Sequence, residues 1–289
     1  MARRKPPTTH GLAIVDKPAG VTSHDVVGML RKRFDERQVG HAGTLDPDAT
    51  GVLLVGVGKA TRLLRFLTAL GKTYTADVVL GTSTSTLDAS GEVTGTFDMS
   101  AVTLDMARAT AAEHLTGAIM QIPPMVSALH VDGRRLHELA REGIEVERQP
   151  RPVTVYAFNV DATADPSVLR ITVTCSAGTY VRTLADDLGR LLGGGAHLTN
   201  LRRTAVGSFE ESEARVPNEC ELIAPIAALR DYPSVTVDAV VADKVRHGRV
   251  LDRFAGDGPW AVVDEAGSLL AVYELFGTTA KPAVVVAEQ

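Results

Sequence analysis

The chain has 289 residues, of which 45% are hydrophobic and 22% are charged, a composition typical of a soluble globular protein with a substantial core. No apolar run approaches the ~18 residues of a membrane span, and the basic first residues are not followed by the apolar stretch of a signal peptide. We therefore expect a cytoplasmic protein without a membrane partner. The two cysteines, Cys175 and Cys220, lack the spacing of metal ligands, which argues against a disulfide framework and a zinc site.

Positive charge is concentrated near the amino terminus, although the formal net charge is −5. Residues 1–75 hold twelve Lys and Arg against six Asp and Glu, whereas the remaining 214 residues hold eighteen against twenty-nine. For binding a phosphate backbone the local excess matters more than the total, so the sequence stays compatible with a nucleic-acid partner. The alternative is that a run such as residues 31–33 forms only the solvated face of a helix.

The first predicted elements lead into a loop rich in glycine and proline. After a basic tail at residues 1–9, we expect a strand at 11–15, a turn at 16–20 and a helix capped by Ser23 that runs to about Phe34. Within residues 40–58, glycines and Pro47 forbid a regular helix, and residues 51–56 predict a short buried strand. The loop thus places one acidic side chain, Asp46, at the entrance to a core strand, a common position for a catalytic carboxylate.

Three other interpretations compete for the Asp46 loop. A phosphate-binding loop of the type G-x-x-x-x-G-K-[ST] is excluded, because Lys59 is followed by Ala60 and Leu53 occupies the first glycine position. A metal site at Asp46 and Asp48 lacks nearby histidines or further acids. A plain surface turn is the remaining alternative for the Asp-Pro-Asp sequence taken alone.

Helices and strands alternate through the rest of the chain. Predicted helices cover residues 60–70, 103–116, 134–142, 219–230 and 237–246, and another begins at Thr179. Predicted strands cover residues 72–80, 153–161, 168–175 and 198–206, of which the second and third form an antiparallel pair, followed by short strands at 260–264, 269–274 and 284–287. Residues 81–100 are rich in Gly, Ser and Thr and predict a long loop with a short hairpin.

Six stretches, taken together and in this order, resemble the TruB-type tRNA pseudouridine synthases. They are KPAG at 17–20, GHAGTLDPDATGVLLVGVG at 40–58, KTY at 72–74, PPMVSALHVDG at 123–133, GTYVRTLADDLG at 178–189 and LRRTAVG at 201–207. The resemblance covers about residues 10–210, and so many motifs in one order argue against a plain surface turn at Asp46.

The resemblance implies an α+β fold, the pseudouridine synthase fold, in which helices flank a mixed and largely antiparallel central sheet. Residues 1–231 are expected to form the catalytic domain, with an RNA-gripping insert at about 123–152, and residues 232–289 a small β-rich PUA-like domain. In this last part the resemblance is weaker, and a structural cap is the alternative to an RNA-contacting module.

The resemblance also implies an activity: isomerisation of uridine to pseudouridine in the T loop of tRNA, at position 55, by a monomer that uses no metal and no organic cofactor. The target base must first be turned out of its folded loop, at a cost of a few kcal/mol. Asp46 is implied as the catalytic carboxylate, either as a nucleophile or as a base that removes a sugar proton. Arg182 is implied as the cation that opposes the effect of burial on the pKa of that carboxyl, and Tyr74 as the residue that stacks on the base.

The resemblance assigns substrate-binding or supporting roles to further residues, namely His41, Tyr180, Leu201, Lys17 and Pro18. His41 matches the residue that fills the space left by the flipped base, and Leu201 matches one that lines the uracil pocket. Lys17 and Pro18 support the floor of the active site. Simpler explanations stand beside these roles: a histidine satisfied by the backbone, a leucine in the core and a proline in a turn.

The chain departs from the family pattern at three positions in the insert. Val126 and His137 stand where the family more often has an aromatic residue, and His130 where it more often has lysine.

Two rival functions stand beside this activity. A nucleoside-processing glycosidase would also use one carboxylate but usually needs a second, and it would release free uracil. A non-catalytic tRNA-folding or RNA-binding factor would need only the basic surface and the carboxyl-terminal module.

Overall fold

The computed structural model describes residues 7–127 and 146–287 and, between them, residues 130, 131, 134–136, 139, 142 and 144. The chain divides into two compact units. The first unit is Met1–Pro47, Gly51–Leu70 and Val206–Gln289, and the second unit is Asp48–Thr50 and Gly71–Ala205. Within the described part of the chain, no helix combines the length and the apolar character that crossing a membrane requires.

The α-helices and strands of the described residues have the following bounds. The helices are α1 (Ser23–Arg33), α2 (Leu64–Ala69), α3 (Leu104–His114), α4 (Val181–Leu191) and α5 (Ala239–Arg246). The strands are β1 (Gly11–Lys17), β2 (Val39–Ala42), β3 (Thr50–Val57), β4 (Lys72–Leu80), β5 (Thr82–Thr84), β6 (Val93–Thr96), β7 (Gly117–Gln121), β8 (His130–Val131), β9 (Arg134–Arg135), β10 (Arg151–Ala162), β11 (Val168–Cys175), β12 (Ala196–Val206), β13 (Phe209–Glu210), β14 (Ser234–Thr236), β15 (Leu251–Asp252), β16 (Trp260–Val263), β17 (Leu269–Phe276) and β18 (Thr279–Val285).

The first unit is built around β3, the strand that follows the Asp46 loop. β3 pairs antiparallel with both β1 and β2, and its continuous apolar run is buried along nearly its whole length. A second sheet, in the order β14–β16–β17–β18–β15, is formed by the carboxyl-terminal part of the chain. Both sheets and α2 contribute to one hydrophobic core, which includes Leu12, Val52, Leu54, Leu67, Ala261, Val263 and Val272.

Specific contacts join the carboxyl-terminal part to α2 within the first unit. The Tyr232 hydroxyl donates to the carbonyl of Phe66 at 2.8 Å, and the two rings meet edge to face with centroids 5.9 Å apart. Arg65 forms an ion pair with Glu274 at 2.6 Å. The proposed domain boundary at residue 232 stays a prediction, but the segment beyond it is packed into the same core as the strand that leads from the Asp46 loop.

The second unit is a sheet with the strand order β12–β4–β11–β10–β7. β4, β11, β10 and β7 are successively antiparallel. α3 packs on β10 and against α4, so the helices cover the sheet. The fold is therefore α+β with a small β-rich part at the carboxyl end, as predicted, and the strands at 72–80, 153–161, 168–175 and 198–206 and the hairpin of β5 and β6 are confirmed.

The structure corrects the predicted start of α1. Thr22, and not Ser23, is the cap: its hydroxyl accepts from the amide of Asp25 at 3.0 Å, and the carboxylate of Asp25 accepts from the amide of Thr22 at 2.8 Å. This is a capping box, in which two otherwise unpaired amides at the helix start are satisfied reciprocally. Ser23 is left available for another contact.

Three other predicted helices are wholly or partly wrong. The helix at 219–230 reduces to one 3-10 turn at Pro225–Leu229, because Ile223 exchanges two backbone hydrogen bonds with Leu12 of β1 and is held extended. The helix at 60–70 begins as a 3-10 helix at Gly58–Leu63. The one at 134–142 begins as strand β9, and much of the remainder, with His137, lies outside the described residues.

Both thiols are buried in the core. Cys175 has no exposed surface and Cys220 only 1%. Burial raises the pKa of each thiol to about 11. Because the thiolate is the reactive form, very little of either thiol is reactive at pH 8 in the folded protein.

We therefore predict that the folded protein reacts very slowly with Ellman's reagent at pH 8, and that both thiols react at once when urea unfolds the chain. Since the pKa is raised in the folded state, the associated stability is fully present below about pH 8.5 and is lost as the pH rises toward 11. Absorbance at 412 nm would measure the reaction, and the Cys175→Ser variant would assign each thiol. Rapid release of one equivalent from the folded protein would contradict this prediction.

Candidate active site

A buried lysine holds the residue that follows Asp46. Lys17, the last residue of β1, is completely buried, and its Nζ donates to the carbonyl oxygens of Pro18 at 2.9 Å and Pro47 at 2.8 Å. The amide of Gly20 donates to the same Pro47 oxygen at 3.0 Å. The φ angle of Gly20 is +78°, which glycine adopts without strain. The KPAG turn is thus tied to the Asp46 loop at two points.

A buried hydroxyl holds the residue that precedes Asp46. Ser23 Oγ donates to the carbonyl of Leu45 at 3.1 Å and accepts from the amide of Leu45 at 2.9 Å. This pair of bonds satisfies both backbone groups of Leu45, whose side chain is also buried. Asp46 is half-buried, and both of its neighbours in the chain are fixed by side chains from other elements.

The other candidate residues of the first unit lie around this loop. His41 is half-buried in β2 and pairs across the sheet with Val55 of β3. Pro18 is exposed at the turn that Lys17 anchors. The structure therefore joins Lys17 by hydrogen bonds to the carbonyls of Pro18 and of Pro47, the residue after Asp46, and places His41 on the strand that leads into the loop.

In the second unit, Arg182 occupies the first turn of α4 and is only 4% exposed. Its Nη1 donates to the carbonyl of Thr86 at 2.9 Å and lies 3.3 Å from Oδ2 of Asp88, while its Nη2 donates to the carbonyl of Val126 at 2.9 Å. The planar guanidinium can satisfy acceptors on two different loops at the same time, which a lysine ammonium would not do in this geometry.

Asp88 is a residue that the sequence analysis missed. Its Oδ1 accepts from the hydroxyls of Thr86 and Ser90, both at 2.6 Å, and from the amide of Ser90 at 3.1 Å. These bonds order the loop and leave Oδ2 facing Arg182. The pattern Thr-x-Asp-x-Ser favours such a side-chain turn, but it carries no sign of the distant arginine.

Gln121 was also missed. It is 2% exposed at the end of β7, where its Oε1 accepts from the amide of Tyr180 at 2.8 Å and its Nε2 donates to the carbonyl of Tyr180 at 3.1 Å. Tyr180 is the residue before the first turn of α4. Nothing in the local sequence marks this glutamine, because its partner lies 59 residues further along the chain.

Tyr74 and Leu201 lie on neighbouring strands of the second unit. Tyr74 is 9% exposed on β4, opposite Val173 of β11, and Leu201 is half-buried on β12, the other neighbour of β4. Lys72 is buried two residues before Tyr74. Burial, with a smaller contribution from the charge of Arg203, lowers the pKa of Lys72 to about 8.

Comparison with known proteins identifies the family. The family described as "TruB family pseudouridylate synthase (N terminal domain)" matches residues 31–181, and two carboxyl-terminal TruB domains match residues 182–222 and 232–287. The chain is 47% identical to tRNA pseudouridine synthase B of Rhodococcus jostii over 99% of this chain and 97% of that protein. It is also 47% identical to the protein of the same name in Streptomyces avermitilis, over 92% and 94%.

Solved structures agree with this match. A crystal structure of a Cbf5–Nop10–Gar1 complex superimposes with a TM-score of 0.75 at 26% identity, covering 96% of this chain and 85% of that one. The chain therefore belongs to the TruB family of pseudouridylate synthases. It is an isomerase that modifies RNA, and the fold implied by its motifs is confirmed.

The Ser23 contact yields a prediction. Ser23→Ala removes the partner of both backbone groups of Leu45, and an unsatisfied buried group costs ~1–3 kcal/mol. We expect the free energy of unfolding to fall by about that amount and kcat for pseudouridine formation to fall by roughly tenfold or more, since misplacing a reacting group is costly. Urea denaturation and steady-state kinetics would measure the two effects.

The matched control is Ser234→Ala, at an exposed position on β14. There we expect a change within about 0.5 kcal/mol and unaltered turnover. Equal behaviour of the two variants would show that the Ser23 contact does not hold the loop.

Proposed function

We propose that the protein converts uridine to pseudouridine in the T loop of tRNA, at position 55. The tRNA substrate is supported by the name shared by the curated relatives, which match almost the whole chain. The T-loop position is supported by the resemblance of the six motifs. The reaction breaks the N-glycosidic bond, turns the freed uracil and rejoins it to the sugar through C5, so no atom is gained or lost.

Asp46 is the proposed catalytic carboxylate, and the anchoring of its loop is the observation that carries this proposal. Pro47 and Leu45 are each held by buried polar side chains from outside the loop. Such fixing of the backbone on both sides of one acid is what accurate placement of a reacting group requires. The carboxylate acts at the sugar, either as a nucleophile on C1′ or as a base that removes a sugar proton.

Arg182 and Tyr74 are the proposed partners in catalysis. When bound RNA excludes water, burial favours the neutral acid, and the charge of Arg182 opposes that shift in the pKa of Asp46. Asp88 and the carbonyls of Thr86 and Val126 hold the guanidinium at the start of α4. Tyr74 holds the uracil through its ring and assists removal of the C5 proton.

The remaining candidates complete the proposed binding site. His41 fills the space left by the flipped base, Leu201 and Tyr180 contact the target nucleotide, and Lys17 with Pro18 supports the floor. Cytoplasmic location and the monomeric state stay predictions from the sequence.

The decisive experiment uses an unmodified tRNA transcript and chemical mapping of pseudouridine. We expect the wild type to modify one T-loop uridine, and Asp46→Asn to lose at least 1,000-fold in rate, on the order of a removed catalytic residue, while tRNA affinity changes less than tenfold. The matched control is Asp48→Asn, an exposed acid two residues away, which should retain the wild-type rate.

Other results would select other functions. Substantial turnover by Asp46→Asn would refute the assignment of the carboxylate. Release of free uracil would indicate a glycosidase, and tight binding by the wild type without conversion would indicate an RNA-folding factor. Pseudouridine formed only outside the T loop would refute the proposed position.

Tyr74 gives a separate prediction. Tyr74→Phe keeps the aromatic face and should bind tRNA as the wild type does, whereas Tyr74→Ala should lose ~1–3 kcal/mol of binding, the usual value for stacking on one base. Fluorescence titration with labelled tRNA would measure both affinities, and single-turnover rates would show the contribution of the hydroxyl. Identical behaviour of the Phe and Ala variants in both assays would rule out stacking.

A further inference from the structure

The start of α4 is capped from a different part of the chain. In a capping box, the third residue of a helix reaches back to the amide of the cap residue. In α4 that third residue is Thr183, and the side chain of the cap residue Tyr180 makes no capping hydrogen bond. Gln121, from β7, takes over this function by binding both the amide and the carbonyl of Tyr180.

The segment that begins with Gln121 also reaches Arg182 directly. Five residues after Gln121, the carbonyl of Val126 accepts from Nη2 of Arg182. Between these two contacts the backbone is restricted by Pro123 and Pro124, both buried, and Arg148 donates to the carbonyl of Pro123 at 3.1 Å. The first turn of α4 is therefore held at two points by one stiff stretch of chain.

We propose that Gln121 is a positioning residue for the reaction. Its side-chain amide fixes the backbone of Tyr180, and through it the height and rotation of the first turn of α4, so that Arg182 is presented in one orientation. This inference rests on the proposed role of Arg182. A primary amide suits the task because its NH2 group donates, its carbonyl oxygen accepts, both lie in one plane, and it carries no charge into a buried position.

The first test is Gln121→Met, which keeps the length of the side chain and removes both hydrogen bonds. We expect the single-turnover rate to fall by roughly 10- to 100-fold, the scale of a small misplacement of a catalytic group, with tRNA affinity within about threefold of wild type. Hydrogen exchange of the peptide that contains Tyr180 should become faster in this variant. Gln38→Met, at an exposed position, is the matched control and should change none of these quantities.

The second test is Gln121→Glu, which distinguishes hydrogen bonding from mere space filling. A protonated carboxyl has one donor and one acceptor and can reproduce both bonds, whereas the ionised form has no donor for the Tyr180 carbonyl. Burial raises the pKa of the introduced carboxyl above the usual ~4.3. Three cations oppose that rise: Arg151, which is the cross-strand neighbour of residue 121, and also Arg148 and Arg182.

We expect the ratio of the variant rate to the wild-type rate to be highest at the acidic end of the assay range. The ratio should fall to the value of Gln121→Met as the pH rises through the pKa of the introduced carboxyl. A ratio that stays level across pH, or a folded Gln121→Met variant with the wild-type rate, would overturn the proposal. If Gln121→Met does not fold, the pH dependence of Gln121→Glu decides alone.

The outcome for the wild type separates the two proposals. If the wild type forms no pseudouridine in tRNA, the proposed function fails. Hydrogen exchange at Tyr180, corrected for the intrinsic effect of pH, still reports on the two hydrogen bonds between Gln121 and the Tyr180 backbone, and it needs no substrate. If the exchange rate is unchanged in Gln121→Met and in Gln121→Glu at high pH, Gln121 does not fix the backbone of Tyr180, and the proposal is refuted.

Discussion

The carbonyl oxygen of Pro47 is the point on which the candidate site depends. It accepts from the Lys17 ammonium and from the amide of Gly20, and so joins β1, the turn after it and the loop that carries Asp46. An ammonium buried without hydrogen bonds would be very costly, so these carbonyl contacts are required by the burial of Lys17 itself. The same bonds that make the lysine tolerable in the core also limit the positions that Asp46 can take.

A similar arrangement occurs independently in the second unit. There the buried polar groups are the Gln121 amide and the Arg182 guanidinium, and their partners are backbone carbonyls and amides of loops with little regular structure. Loops of this kind would otherwise be the least ordered parts of the chain. Buried side chains that bind their backbone give them the rigidity of helices and strands, which is the property that a catalytic site needs.

The sequence predicted the features that depend on local pattern. The apolar run of β3, the alternation of β10 and β11 and the helix of α4 follow from periodicity, whereas Asp46 and Arg182 are candidates that the motif resemblance proposes. The contacts that position these residues were not predictable in the same way. Ser23 binds Leu45 across 22 residues, and Gln121 binds Tyr180 across 59. The extended stretch around Ile223 was mistaken for a helix for the same reason, since its partner is a distant strand.

The shared core of the first unit has a consequence for how this enzyme can be shortened or recombined. Phe66 and Leu67 pack in one cluster with Ala261, Val263 and Val272, and Arg62 donates to the carbonyl of Val285. If the chain were cut before the last sheet, the side chains of Phe66 and Leu67 on α2 would be exposed to water. The terminal sheet thus supplies part of the hydrophobic core of the unit that carries Asp46. Exchanging this sheet between relatives would require the core residues that pack against it, such as Phe66 and Leu67, to be exchanged with it.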